Sequence, residues 1–365
     1  MKKKRILYIA GVGWTWIKQR PQFLAEELTK DYEVLFVDNA GAKNGSKHSD
    51  CDVKFLNPWR FVLERFGIIK KLNLYLFQLY LKLYVGKYDI LWIASPTVYA
   101  NAALSVKPTN AKVVYDCMDD YLAFSKATRL LDRTRYIESN IFINADVVFC
   151  SAGYLSDKIQ KRYGKKTVTI VNNALSVVPN LESITSELPT SLSDFNTNSK
   201  RLTYVGTVAE WMNVDLIKKI SEEIKGVEIY FFGPCGDNMR KALTMPHVHL
   251  MGAIPHAQVS TILQMSDALI MPFKLTELIL SVNPVKLYEY IASGKPCIAP
   301  LYGESKQFEN YAYLYSSENE CIGLLKRLVD NNLEPKKDKS SCVQYAAQNT
   351  WASRYSIIKE TLRRL

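Results

Sequence analysis

Short apolar runs alternate along the whole chain with longer stretches in which apolar positions recur every three or four residues. The runs at 6–10, 34–38, 90–94, 113–116, 147–150 and 168–171 read as strands, and the stretch at 21–28 reads as a helix. At 178–200 the segment VPNLESITSELPTSLSDFNTNSK is dense in Ser, Thr, Asn and Pro and has no period, which marks a linker or long surface connection. The rhythm then restarts, with strands expected at 202–208, 227–233, 247–251, 268–272, 297–299 and 313–315. Helices are expected at 215–224, 257–265, 284–293 and 320–330, and one last helix near 340–364. Such alternation predicts βα units around a parallel sheet, here twice over. The expected class is α/β, with two tandem doubly wound, Rossmann-like domains. They are divided as 1–180, a linker at 181–200, 201–345, and a terminal segment at 346–365 that packs back toward the first domain.

Length agrees with two domains, because 365 residues exceed the roughly 250–300 that one core organises. Hydrophobic residues at 48% and charged residues at 23% exclude wholesale disorder, collagen-like repeats and a membrane-embedded bundle. No run of about 18–20 uncharged apolar residues predicts a spanning helix. The basic start at 1–5 leads into Gly11 and Gly13 rather than a long apolar region, so a first strand is expected there instead of a secretion signal. Seven cysteines stand far apart with no C-x-x-C pair, as expected for reduced thiols in a cytosolic protein. The four histidines, at 48, 247, 249 and 256, lack the spacing of a zinc site.

Charge changes the picture more. Residues 1–180 hold 27 Lys+Arg against 16 Asp+Glu, and 181–365 hold 20 against 20, so the first half carries the whole net charge of +11. That asymmetry points to an anionic partner such as nucleic acid, an acidic lipid surface or a phosphate-bearing acceptor, with solvated surface lysines as the plainer alternative. Within 52–88, Lys54, Arg60, Arg65, Lys70, Lys71, Lys82 and Lys87 interleave with Phe55, Trp59, Phe61, Phe66, Tyr75, Phe77, Tyr80 and Tyr84. Basic plus aromatic on amphipathic helices suits peripheral contact with an acidic membrane, although a domain core also explains the aromatics. No RNP-type or helix-turn-helix pattern accompanies the stretch, so no nucleic acid is expected.

The sharpest local signal is NPVKLYEYIASGKP at 283–296, a helix with Pro at its first turn and Gly at its end. Its free N–H groups, the positive end of its dipole and Lys286 make an anion site, and Glu289 one turn on could accept two hydroxyl hydrogen bonds. A capped amphipathic helix with a Lys–Glu pair at i,i+3 is the structural alternative. In the first half, Gly11-Val12-Gly13 follows a strand, but Trp16 stands where a dinucleotide fingerprint has its third glycine, which leaves Asp38 a decoy for a ribose-binding acid. Asp116 and Asp119 end a predicted strand; they could orient substrate hydroxyls, or one could serve as a general base if burial raises its pKa. Asp119 and Asp120 could equally cap the next helix. Their D-x-x-D spacing is not the D-x-D of metal-dependent transferases.

These motifs and several neighbours resemble, in order and over nearly the whole chain, the sugar-nucleotide glycosyltransferases of GT-B fold, in the variant of bacterial polysaccharide and teichuronic-acid-type enzymes. The matches are Trp16 with Gln19-Arg20-Pro21-Gln22, Asp116-Cys117-Met118-Asp119-Asp120, Tyr204-Val205-Gly206-Thr207 before Glu210-Trp211, Phe232-Gly233-Pro234, Met271-Pro272-Phe273, the 283–296 helix and Thr350-Trp351. The resemblance implies two domains facing a cleft and transfer of a sugar from a nucleotide diphosphate donor to a lipid-linked or cell-surface glycan. It places the enzyme in the cytoplasm, peripheral on the inner membrane face, with no metal or other cofactor. Glu289 stands where the family binds the donor ribose, and Lys286 would bind the diphosphate and stabilise the leaving group. Asn283, Gly206, Thr207, Gly233 and Pro234 would shape that pocket. Asp116 and Asp119, with Gly13, Trp16 and Arg20, would form the opposite, acceptor-side wall. The pattern departs from the family at Ser281, where the first Glu of a Glu-x7-Glu signature is usual and for which Glu277 substitutes only if its loop bends inward. It departs again at 207–211, where relatives carry an Arg and a Lys. Retention of anomeric configuration is the implied stereochemistry. A sugar-nucleotide epimerase on the same frame and a noncatalytic nucleotide-binding membrane scaffold stay open as alternatives.

Overall fold

The computed structural model describes residues 3–14, 18–38, 51–56, 67–96, 98, 110–123, 128–176, 195 and 199–365. In chain order the first half contains β1 (Arg5–Ile9), α1 (Arg20–Leu28), β2 (Glu33–Val37), β3 (Lys54–Leu56), α2 (Gly67–Val85), β4 (Ile90–Ile93), β5 (Lys112–Cys117), α3 (Thr128–Asn144), β6 (Val147–Cys150), α4 (Gly153–Tyr163) and β7 (Val168–Ile170). There follow β8 (Lys200–Val205), α5 (Val214–Glu223), β9 (Val227–Phe232), α6 (Asp237–Ala242), β10 (Val248–Gly252), α7 (His256–Met265), β11 (Ala268–Ile270), α8 (Glu277–Leu280) and α9 (Val285–Ala292). The chain closes with β12 (Cys297–Pro300), β13 (Tyr313–Tyr315), α10 (Glu318–Val329), α11 (Lys339–Gln348) and α12 (Trp351–Leu362).

The chain divides into two compact units, Met1–Asn173 with Trp351–Leu365, and Ala174–Thr350. Unit 1 is built on a parallel sheet of seven strands in the order β3-β2-β1-β4-β5-β6-β7. Unit 2 is built on a parallel sheet of six, β10-β9-β8-β11-β12-β13. Both are doubly wound, and the strand order reverses at β1/β4 in the first and at β8/β11 in the second. Helices cover both faces of such sheets, so the strands are apolar at nearly every position rather than at alternate ones. On one face of the first sheet Leu7, Ile9, Leu35, Val37, Leu91 and Ile93 pack under Phe77 and Leu81 of α2, Ile141 and Phe142 of α3, and Leu155 and Ile159 of α4. The other face carries an aromatic ladder, in which Tyr8 stacks on Phe36 and on Trp92 at 5.5 Å each and Trp92 on Phe149 at 5.6 Å.

Three expectations change. The strand expected at 202–208 starts at Lys200 and stops at Val205, because Gly206 turns the chain with φ +152°. Lys200 therefore belongs to a strand, not to the linker, and Phe195 is buried edge-on against Tyr230 and Phe232, while the rest of the expected linker, apart from Ser199, lies outside the described residues. The single last helix near 340–364 is two helices. Asn349 leaves the helical region at φ −115° and ψ 46°, and its carbonyl accepts the Leu175 N–H at 2.9 Å. A new helix then starts at Trp351, whose ring stacks on Phe23 at 5.4 Å within unit 1.

Unit 1 is tied together by one buried ion pair. Arg20 opens α1 and Asp116 lies within β5, and their side chains are 4% and 0% exposed. The guanidinium donates to the Asp116 carboxylate from Nε at 3.1 Å and Nη2 at 2.8 Å, donates from Nη1 to the Val171 carbonyl at 2.6 Å, and lies 6.0 Å from the Trp351 ring. Removing one partner strands a buried charge, so Arg20→Met is expected to cost about 3–5 kcal/mol. Lys18→Ala, in the solvated pair with Glu26, is expected to cost under about 1 kcal/mol. Urea unfolding of the two variants checks the contrast.

Candidate active site

Ligands of open α/β sheets sit outside the carboxyl ends of the strands, where the order reverses. In unit 2 that place is the end of β8 and β9 beside α9. Gly206 follows β8 and Gly233 follows β9, and a Cβ at Gly233 would stand 2.0 Å from the Gly206 carbonyl oxygen. A Cβ on Gly206 would meet the Tyr204 hydroxyl at 2.7 Å and Cε of Lys286 at 3.1 Å. Both positions have positive φ, so only glycine permits this close approach of two loops and of Lys286 to the backbone. The Val208 N–H then pairs with the Pro234 carbonyl at 2.9 Å, which joins the loop after β8, with exposed Thr207, to the loop after β9.

Lys286 and Glu289 lie on one face of α9 and are paired, Nζ to Oε2 at 3.0 Å, with side chains 31% and 23% exposed. Such an i,i+3 pair is worth roughly 0.2–0.5 kcal/mol, too little to hold either group from a charged ligand. Asn283, just before the capping Pro284, is fully buried. Ser281 is buried too, with its hydroxyl turned back onto the Glu277 carbonyl at 2.9 Å, while the Glu277 side chain is exposed in the first turn of α8. Two tyrosines to which the sequence pattern gave no role of their own lie under these loops. The Tyr204 hydroxyl reaches the Thr207 carbonyl at 3.1 Å, and the Tyr290 hydroxyl accepts the Val205 N–H at 3.0 Å. Both sit in apolar runs, where nothing in the spacing separates a structural hydroxyl from plain core. Glu304, 8% exposed after β12, likewise escaped the pattern.

In unit 1 the carboxyl ends of β1 and β4 meet at Gly11, whose added Cβ would touch Ser95 at 2.9 Å. The loop that follows is pinned by the buried Gln22, which donates to the Gly13 carbonyl at 3.1 Å, and by Asp38, which accepts the Trp14 N–H at 3.2 Å. Asp38 therefore holds a loop. Trp16 lies outside the described residues.

The three carboxylates after β5 part company. Asp116 is committed to Arg20, which corrects the expectation that both residues face substrate; they are the internal brace of the wall. Asp120 is buried between Arg162 at 2.8 Å and Lys158 at 2.9 Å; burial alone would raise its pKa, but these two cations hold it below the usual carboxylate value. Asp119 is partly buried and its carboxylate makes no hydrogen bond or ion pair among the described residues. Burial pushes its pKa up to about 7, with the charges of Asp116 and Asp120 adding to the rise and that of Arg20 opposing it. The neighbouring backbone is fixed, since Ser151 donates to the Met118 carbonyl at 2.8 Å and the Tyr121 N–H to the Asp119 carbonyl at 3.1 Å.

Two other groupings lie apart from these loops. His247 and His249 share Glu228 at 2.9 and 2.7 Å, and their hydrogen bonds outweigh burial to keep its pKa low. A groove of about 510 Å³ lies at the amino end of β13, lined by Tyr313, Arg327 and Lys336 among others.

Comparison with known proteins decides what the unit 2 loops belong to. Residues 199–324, which span β8 to the middle of α10, match the model of the family Glycosyl transferases group 1. TuaH of Bacillus subtilis (strain 168), a protein assigned to teichuronic acid biosynthesis as a glycosyltransferase, is 27% identical over 227 residues, 59% of this chain. The match spans just over half of that relative, 57% of its length. Among solved structures, Anabaena Alr3699/HepE in complex with UDP-glucose is similar at TM-score 0.73 and 12% identity, covering 99% of this chain and 100% of that one. Sucrose-phosphate synthase (tll1590) from Thermosynechococcus elongatus follows at TM-score 0.69 and 14% identity, covering 99% of each chain. The fold is GT-B, and the glycine loops, Lys286 and Glu289 all lie within the segment that matches the group 1 model.

Asp119 carries a stability signature. A carboxyl that ionises near 7 when folded and near 4 when unfolded holds a proton that the unfolded chain has lost, so stability falls as pH rises from about 4 to about 7 and is level above. Asp119→Asn is expected to remove that contribution, which thermal melts of wild type and variant across this range will show as a flatter profile for the variant.

Proposed function

We propose that the protein is a glycosyltransferase that moves a hexosyl unit from a nucleoside diphosphate sugar to a glycan acceptor, lipid-linked or at the cell surface. The observation that carries this reading is the junction of Gly206, Gly233, Lys286 and Glu289 at the carboxyl ends of β8 and β9, within the segment that matches the group 1 model. Support comes also from similar proteins, one assigned to teichuronic acid biosynthesis and one solved with UDP-glucose.

In this reading Glu289 accepts the two ribose hydroxyls, and Lys286 turns from Glu289 to the diphosphate. The bare backbone at Gly206 and Gly233 lets the phosphates approach. As the bond from the anomeric carbon to the β-phosphate oxygen breaks, negative charge grows on that oxygen. Lys286 and the N-terminus of α9 stabilise it more than they stabilise the bound donor, which is what accelerates the step. The acceptor oxygen forms the new bond to the anomeric carbon on the face from which the diphosphate departs, and its proton passes to the departing phosphate oxygen. With Lys286 and the helix terminus neutralising the diphosphate, the reaction is metal-independent and EDTA leaves its rate unchanged. Retention of configuration belongs to the same proposal and is read from the anomeric coupling of the product. The acceptor is carried at the cytoplasmic side of an acidic membrane, in keeping with the charge excess of residues 1–180.

Glu289→Ala is expected to weaken UDP and UDP-sugar binding alike by roughly 1.5–3 kcal/mol, the range for hydrogen bonds to a charged group. Isothermal calorimetry showing unchanged affinity removes Glu289 from the site. Lys286→Ala is expected to lower kcat by a larger factor than it raises the donor Kd, because the charge it meets grows in the transition state. Equal factors in steady-state kinetics and calorimetry would assign it to ground-state binding alone.

A further inference from the structure

Helix α2 is apolar on two opposite sides. Its inner side carries Phe77 and Leu81, four residues apart and buried in the core of unit 1 at 4% and 0% exposure. Its outer side carries Ile68, Leu72, Tyr75, Leu79 and Leu83, at spacings of four, three, four and four, and these are 82%, 41%, 57%, 42% and 63% exposed. That spacing keeps the five side chains on one stripe, about 22 Å long at 1.5 Å per residue. Exposed apolar residues scattered singly need no explanation, but five in helical register form a surface that something covers. Tyr136 and Ile143 of α3, which packs on the same face of the sheet as α2, are also exposed, at 71% and 57%.

Charge selects the occupant. Residues 65–88 contain Arg65, Lys70, Lys71, Lys82 and Lys87 and no Asp or Glu. Lys82, exposed, stands three residues after Leu79 and so borders the stripe, and Lys87 lies over the Tyr84 ring at 5.5 Å. A second copy of this chain laid face to face would set this acid-free basic segment against itself, which repels. An anionic lipid surface offers what the stripe lacks, acyl chains for the apolar side chains and phosphates for the lysines. No helix among the described residues is long and apolar enough to cross a membrane, so α2 lies on the surface rather than through it.

We propose that the outward face of α2 docks in the plane of an anionic bilayer, with Ile68, Leu72, Tyr75, Leu79 and Leu83 at the acyl boundary and the flanking lysines at the headgroups. The proposal names the surface behind the acceptor half of the functional reading and rests on that reading for its purpose. Its physical content does not involve the nucleotide site.

Co-sedimentation of the full chain with vesicles of phosphatidylglycerol and phosphatidylcholine, against phosphatidylcholine alone, tests it. Wild type should bind the acidic vesicles and release them at high salt. Leu72→Ser/Leu79→Ser should lower the partition about tenfold or more while leaving the melting temperature and UDP affinity unchanged, because both side chains stand on the exposed stripe and outside the buried cluster of unit 1. Lys82→Glu/Lys87→Glu should lose binding to the acidic vesicles as well. Equal binding to both vesicle types, no binding, or equal binding by the serine variant would overturn the proposal. So would a concentration-dependent dimer of the lipid-free protein that the serine variant abolishes, which would make the stripe a protein interface. Vesicle binding without UDP binding would instead count against the glycosyltransferase reading and leave the docking surface standing.

Discussion

Every strand in both sheets runs parallel to its neighbours, so each return of the chain must cross over the sheet, and all carboxyl-end loops of a sheet emerge along one edge. From this constraint follows most of what can be said about the site. In unit 2 it delivers the loops after β8 and β9 and the start of α9 to one place, although Gly206, Gly233 and Lys286 lie far apart in sequence. In unit 1 it does the same for the loops after β1, β4 and β5. Two glycines with positive φ turn neighbourhood into contact, because any side chain at Gly233 would drive the two loops apart.

Unit 1 shows how one short acidic run is divided among three tasks by its surroundings. Asp116 is fully buried, and Arg20 meets it with a two-point hydrogen bond. Asp120 is held ionised by Arg162 and Lys158. Asp119 has no cation of its own, feels both neighbouring carboxylates, and keeps a proton to about pH 7. A carboxyl whose pKa lies near neutrality can exchange a proton at little free-energy cost. The brace of Arg20 and Asp116 also ties α1 and β5 to the Val171 carbonyl and the Trp351 ring, so the wall that carries Asp119 is fixed through the core.

The departures from the glycosyltransferase pattern have a consistent physical sense. Ser281 bonds back into its own helix turn, and Thr207 to Trp211 bring no cation to the end of β8. Fewer charges therefore converge on the ends of β8 and β9, where Lys286 and the start of α9 remain. The pairing of Lys286 with Glu289 keeps both oriented while the site is free, at an energy that a ligand displaces easily.

By itself the sequence determined the α/β class, the two doubly wound sheets, most strand positions and the capped helix at α9, because those depend on local period, on glycine and proline placement, and on runs buried on both faces. Lys286 and Glu289 were legible for the same reason, since they stand at a helix start that local signals mark, while Gly206 and Gly233 were singled out through the resemblance alone. What only the tertiary structure decided was partnership and exposure. Asp116 and Asp119 are alike in the sequence, and only the arrival of Arg20 from α1 makes one a brace and leaves the other to titrate. The last helix splits at Asn349 because its two halves pack in different units, a distinction that local propensity does not encode. In α2 the sequence showed a basic and aromatic stretch, while burial separated Phe77 and Leu81, which face the sheet, from the stripe through Leu72 and Leu79, which faces water. Periodicity tells which residues share a side of a helix, and only packing tells which side is covered.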